Sequence, residues 1–224
     1  MCIRDSLRDP DRVVSMVRAC IEAAEVPITV KMRLGTGSGD NTALEICERL
    51  EEEGVKRVCV HGRTLRQRYS GEADWDQIRE ISETVSIPVI ANGDVIDSST
   101  ASECLEATEA SGLMIGRGAI GRPTIFYEIK RDLGWITGPP PWGEGGGAIA
   151  RQWCWNRYLE LCEDIYADSR NKNLKRHAVS FTKGLPGASA MRVDLHGEGD
   201  QRKLGRMVSE YLEGLASLNE ATAV

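Results

Sequence analysis

The chain has 224 residues, with 28 lysines and arginines against 34 aspartates and glutamates, a formal net charge of −6, 41% hydrophobic and 28% charged residues. That balance belongs to a folded globular protein and excludes a disordered, collagen-like or membrane-embedded chain, and nowhere do apolar residues run on for the roughly 18 positions a membrane helix needs. The length admits one large domain or two small ones, and falls short of an eight-stranded barrel of about 250 residues with a further domain attached.

The first residues, MCIRDSLRDP, contain neither an apolar stretch nor a small-residue cleavage site and do not read as a secretory signal. A helix is expected from Asp9 to Ala24. Asp9 stands at the cap, Pro10 falls in the first turn, and Val13, Val14, Val17, Cys20 and Ile21 share a face. Such a helix ought to follow a strand, and none precedes it.

Four runs rich in β-branched and aliphatic residues then recur as candidate buried strands: Ile28–Met32, Arg57–His61, Ile87–Ala91 and Gly112–Ile115. Between them, Ala43–Glu53, Trp75–Ser82 and Ser98–Ala107 space their apolar residues at helical intervals, as with Leu44, Cys47 and Leu50. Strand, helix, strand in succession signals βα units with parallel strands, which build doubly wound sheets and (β/α)₈ barrels alike. Each strand ends in polar or glycine-rich residues: Lys31 with Arg33, His61-Gly62-Arg63, Asn92-Gly93-Asp94, and Gly116-Arg117-Gly118. Functional groups at the carboxyl ends of several strands are the mark of a barrel's active face.

The loop Gly116-Arg117-Gly118 precedes a short turn and a helix starting near Pro123, a setting in which backbone N–H groups and an arginine fork can hold a phosphate. Glycines there also serve plain tight turns. Lys31, inside an apolar run, either snorkels at a rim or points into a site. His61 closes a strand as a core residue or as a ligand.

Seven cysteines (Cys2, Cys20, Cys47, Cys59, Cys104, Cys154, Cys162) are scattered, odd in number and never form a CxxC pair. This usage argues against a disulfide framework and against a metal site, and points to the cytoplasm, with no membrane partner. Cys59 reads as a small buried hydrophobe.

Residues 134–147, GWITGPPPWGEGGG, mark a linker. The sequence therefore divides into 1–135, a Pro/Gly linker at 136–147 and a helical region at 148–224. In that region Ala148–Ala167 would present Trp153, Tyr158, Leu161 and Ile165, and Arg202–Leu218 would present Leu204, Met207, Tyr211 and Leu215. Arg170 to Arg192 holds six lysines and arginines and no acidic residue, a basic stretch in an acidic chain. It is either a solvated face or a phosphate-binding patch.

Five segments taken together, VKMRLG (30–35), HGRTLRQRYSGEADWDQI (61–78), PVIANGDV (88–95), MIGRGAIGRP (114–123) and KRHAVSFTKGLPGASAMR (175–192), resemble tRNA-dihydrouridine synthases in family order. The resemblance implies a partial (β/α)₈ TIM barrel, its last four βα units, followed by a small all-helical tRNA-binding domain. It implies an FMN enzyme in which NADPH or NADH reduces the flavin, the flavin passes hydride to C6 of uracil in tRNA, and a cysteine protonates C5. On matching positions it assigns FMN to Lys31, His61, Asn92, Gly93, Asp94, Gly116 and Arg117. It assigns the tRNA to Arg63, Tyr69, Lys175, Arg176, His177, Lys183 and Arg192.

In one respect the chain departs from the family. The family's acid cysteine stands in a Gly-Cys-Pro context before the helix that here begins at Asp9, and no Gly-Cys-Pro occurs in this sequence. Cys2 lies near that place in unrelated surroundings. No catalytic residue is therefore assigned, and the chain reads as a fragment without the first strands. Another FMN barrel oxidoreductase, of the dihydroorotate dehydrogenase type, and a non-catalytic RNA-binding remnant are the alternative readings.

Overall fold

The computed structural model describes residues 7–37, 42–143, 145–166 and 174–222. Cys2, Ala167, Arg170 and Lys172 lie outside them. The chain divides into two compact units, residues 1–116 and 117–224. The division falls at the end of the fourth strand, whereas the sequence puts its linker at 136–147.

The first unit alternates helices α1 (Pro10–Ala23), α2 (Ala43–Glu52), α3 (Trp75–Thr84) and α4 (Ser98–Thr108) with strands β1 (Thr29–Arg33), β2 (Arg57–His61), β3 (Val89–Asn92) and β4 (Gly112–Met114). All strand pairs are parallel, in the order β1-β2-β3-β4. The helices begin where their capping residues dictate. Asp9, Asp74 and Asp97 accept from the backbone N–H groups of Arg12, Gln77 and Thr100, each satisfying one donor that a helix start leaves unpaired.

Parallel register divides the sheet into two faces, because side chains alternate along each strand. Met32, Val60, Ala91 and Leu113 form one row across the sheet. The first three are buried, and the Cys47 thiol of α2 lies 3.6 Å from the Met32 sulfur, so this is the helix-covered face. The next row, Arg33, His61, Asn92 and Met114, points to the opposite face, as does Lys31 beside Cys59 and Ile90. Of the apolar residues expected on one face of α1, only Val14 is buried, and Cys20 is exposed.

The second unit opens with a short 3₁₀ turn (Arg117–Ala119) and comprises α5 (Ile125–Asp132), α6 (Ala148–Tyr166), α7 (Leu174–Thr182), α8 (Ala188–Gly197) and α9 (Gln201–Thr222). Its core gathers Trp155, Leu174, Phe181, Leu195, Leu204, Val208 and Leu212. The face expected for α6 is met in part: Tyr158 packs against this core, and the side chain of Ile165 lies outside the described residues. Trp155 is fully buried, while Trp153 and Leu161 are 41% and 40% exposed. Ala178 and Phe181 of α7, together with Leu204 and Val208 of α9, supply a wall that the periodicity of α6 alone does not reveal. On α9, Leu204, Val208 and Leu212 are buried, with Met207 and Tyr211 at the margin.

Gly121 shows why the segment after β4 belongs to this unit. It adopts φ +79°, and a Cβ there would run into the Ser180 carbonyl of α7. The Pro/Gly stretch forms no regular element but is packed: Trp142 lies 5.1 Å from Tyr127 and 6.2 Å from Trp153 between ring centroids, and the Tyr127 hydroxyl donates to the Gly138 carbonyl. Among the described residues no helix is long and apolar enough to cross a membrane, and no group of three or more His, Cys, Asp or Glu is placed to hold a metal ion.

Candidate functional site

The carboxyl ends of β1, β2 and β3 bring together Lys31, Arg33, His61, Arg63, Asn92, Gly93 and Asp94, all within the first unit. Lys31 is exposed on the open face rather than buried in the strand. Asn92 donates its side-chain N–H to the Met114 carbonyl at 2.7 Å, which turns its oxygen outward. Gly93 is buried at φ +131°, and a Cβ there would fall 2.6 Å from the Ala73 Cβ and 3.3 Å from His61 Cδ2. Only glycine fits this turn. Its carbonyl accepts from Trp75 Nε1 at 3.3 Å.

His61 is 7% exposed. Burial, followed by the charges of Arg33, Lys31 and Arg63, pushes its pKa down from 6.5 to about 4, against the opposing pull of Asp94. It is therefore a neutral imidazole at pH 7, able to hydrogen-bond without adding to a crowded set of cations. Folding lowers the proton affinity of this histidine, so stability is full above pH 6.5 and falls as the pH drops from 6.5 toward 4, where the unfolded chain takes up a proton that the folded one refuses. The loss should reach about 2 to 3 kcal/mol. Urea unfolding across that pH range should show it, and His61→Gln should flatten the slope; an unchanged slope would refute the assignment.

The segment between β2 and α3 carries Tyr69, 59% exposed, whose ring lies 6.5 Å from the His61 ring. The Arg33 guanidinium sits over the Tyr69 ring at 5.7 Å and donates to the carbonyls of Thr64 and Arg68, each at 2.9 Å. Arg33 thus joins Lys31 and His61 on this face. Its signal was the two-residue spacing from Lys31, which puts both side chains on one face. Arg63 is 2% exposed and turned inward, donating to Ser70 O, Gly71 O and Asp94 Oδ2. Cys59 is buried as expected, its sulfur 3.5 Å from that of Met114 and its thiol pKa raised by burial.

Gly116 is the last residue of the first unit, and Arg117 opens the 3₁₀ turn of the second; both are exposed. In the helical unit, Arg176 and Lys183 are exposed, while three other expected contacts are engaged. Lys175 Nζ donates to the His196 carbonyl at 3.0 Å, Arg192 Nη2 to Ser189 Oγ at 3.2 Å, and His177 Nδ1 lies 2.7 Å from the Tyr158 hydroxyl. Burial, followed by the charge of Arg176, lowers the pKa of His177.

Comparison with known proteins gives the family. The family model described as Dihydrouridine synthase (Dus) matches residues 6–213. A probable tRNA-dihydrouridine synthase of Rickettsia conorii is 33% identical over 216 residues, covering 96% of this chain and 64% of its own length. The tRNA-dihydrouridine synthase B of Yersinia pestis is 38% identical, covering 78% of this chain and 53% of itself. A probable tRNA-dihydrouridine synthase of Rhizobium leguminosarum bv. phaseoli is 45% identical over 117 residues, 52% of this chain and 37% of the relative. The chain thus spans about half to two thirds of the length of the first two relatives. With a family match running from the first helix into the last, and the polar strand ends falling inside it, the chain belongs to the dihydrouridine synthase family.

Proposed function

We propose that this chain carries cofactor-binding and RNA-binding parts of a tRNA-dihydrouridine synthase, an FMN-dependent enzyme that reduces the 5,6 double bond of uridine in tRNA at the expense of NADPH or NADH. The observation that supports it most is the strand register, which lines up Arg33, His61 and Asn92, with Lys31 two residues before Arg33, on the sheet face away from the helices. On this reading the four βα units are the last four of a (β/α)₈ barrel and that face is its interior.

The residues suit a flavin. FMN, when bound, supplies hydride transfer, and the protein's part is to bind and orient it. Lys31 offers a cation to an electron-accepting ring, neutral His61 packs beside it, and Asn92 presents an acceptor oxygen. The Gly93 turn leaves a cradle that any side chain would fill, and Asp94 shapes that turn. Gly116 and Arg117 fit its phosphate by residue type, through close backbone approach and charge.

For the tRNA, exposed Tyr69 is a ring on which a base can stack, and Arg66 and Arg68 on the same segment supply phosphate contacts. Arg63 serves this loop. In the helical unit, Lys175, Arg176, Lys183 and Arg192 provide a local basic surface, with His177 as a neutral hydrogen-bonding group among them, on a chain of net charge −6, so binding there should weaken steeply with salt.

Lys31 gives the direct test. Lys31→Met removes a charge from an exposed position and should leave folding intact, but lower FMN affinity by about tenfold or more, the worth of a charge-assisted contact. Equilibrium dialysis with FMN measures it. Equal affinity of the two forms would sink the assignment of the open face to the flavin.

A further inference from the structure

The segment from Thr64 to Ala73 leaves the end of β2, carries Tyr69 outward and returns to α3. Within it, the Thr64 N–H and hydroxyl donate to Gln67 Oε1 and the Ser70 N–H to the Gln67 carbonyl, while the Leu65 and Arg66 N–H groups donate to the Gly35 and Thr36 carbonyls after β1 at 2.9 and 3.1 Å. Two arginines from neighbouring strand ends tie it to the sheet. Arg33 holds its first part through the carbonyls of Thr64 and Arg68. Arg63 holds its second part, with Nε donating to the Ser70 carbonyl at 3.3 Å and Nη2 to the Gly71 carbonyl at 2.5 Å.

Arg63 differs from Arg33 in also reaching across to the next strand. Its Nη2 donates to Asp94 Oδ2 at 2.6 Å, and the same carboxylate oxygen accepts from the Ala73 N–H at 2.7 Å. Asp94 itself stands at φ 59°, directly after Gly93, in a conformation that a non-glycine residue seldom adopts without support. The Arg63 ion pair and the Ala73 N–H both hold its side chain there. The ion pair joins three pieces of backbone, the end of β2, the close of the loop and the turn after β3, through one guanidinium. Arg63 is 2% exposed, with Nη1 buried and without a hydrogen-bond partner among the described residues. Burying an arginine to this extent, at the cost of an unsatisfied donor, is hard to reconcile with a role at a solvent-facing surface.

We infer that Arg63 and Asp94 are a positioning pair that locks the Tyr69 loop to the turn after β3, so that the RNA-facing loop and the flavin-facing turn move as one body. The names of the two faces rest on the function proposed above; the lock itself rests on the bonds just described. Arg63 acts through other residues, and its substitution should change the loop before any ligand is present.

The experiment is limited trypsin digestion of the full chain without RNA or FMN, scoring cleavage after Arg66 and Arg68 against cleavage after Lys56 and Arg79 in the same unit. Arg63→Met should raise loop cleavage about tenfold or more over the reference sites. Arg63→Lys, which keeps a charge for Asp94 but loses the fork, should fall between. If Arg63→Met does not fold, Asp94→Asn serves, because it removes the ion pair while keeping an oxygen for the Ala73 N–H; loop cleavage should rise about threefold. Cleavage that rises equally at all sites would reduce the pair to general stability and overturn the proposal. So would unchanged loop cleavage accompanied by weaker tRNA binding, which would make Arg63 a direct contact. Selective loop cleavage in a chain that binds neither FMN nor tRNA in any form would uphold the lock and sink the functional reading alone.

Discussion

Gly93→Ala should abolish FMN binding and destabilise the first unit by roughly 3 kcal/mol, the sum of a strained backbone and an overpacked turn. The two causes can be separated. At φ +131° an L side chain is strained whatever the space around it, and the added Cβ would fall 2.6 Å from the Ala73 Cβ. Converting Ala73 to glycine as well removes the collision but not the strain. The double variant should therefore recover about half of the lost stability while its FMN affinity stays below that of the parent. Urea unfolding and equilibrium dialysis on the three chains would decide it. Wild-type behaviour of Gly93→Ala would mean that the turn tolerates a side chain and that the cradle is not a constraint.

Trp155→Ala should cost the helical unit about 3 to 5 kcal/mol, the range for removing a large aromatic from a packed core. Trp155 is fully buried, its ring lies 5.1 Å from that of Phe181 and 5.5 Å from that of Tyr158, and its indole N–H donates to the Gly205 carbonyl of α9. Truncation would open a cavity and remove the indole's bond to that carbonyl. The neighbouring Trp153→Ala is the control. It removes a 41% exposed ring in contact with Trp142 and should cost about 1 kcal/mol or less. Urea titration followed by circular dichroism gives both numbers. A larger loss for Trp153 would restore the helix face that the sequence suggests.

That contrast shows where sequence reasoning reaches its limit. Strand β2 runs over Arg57–His61 in structure as in sequence, because an interior parallel strand is buried on both faces and its apolar run is continuous. The polar strand ends were legible for a related reason: Lys31, His61 and Asn92 interrupt or terminate such runs, and residue alternation then settles their common face. On α6, aromatic and aliphatic residues occur on several sides, and only the packing of α7 and α9 selects one. The helices α7 and α8 were not separated, since the Gly184–Gly187 turn between them lies inside a basic segment whose apolar positions are sparse. That Arg63 turns inward is hidden from the sequence for the most general reason. A charged residue in a loop reads as a solvent or ligand contact, and nothing local reveals that carbonyls of its own loop and a carboxylate from the next turn will take its donors.

The placement of the indoles has a practical consequence. The five tryptophans are divided unequally: Trp75 alone belongs to the first unit, while Trp135, Trp142, Trp153 and Trp155 belong to the second. Intrinsic fluorescence of the intact chain is accordingly dominated by the helical unit. Replacing those four by phenylalanine would leave a single tryptophan, hydrogen-bonded to the Gly93 carbonyl at the turn beside His61. Each unit thus carries its own optical probe, and the one in the first unit, at the start of α3, reports on the turn after β3 through its bond to the Gly93 carbonyl.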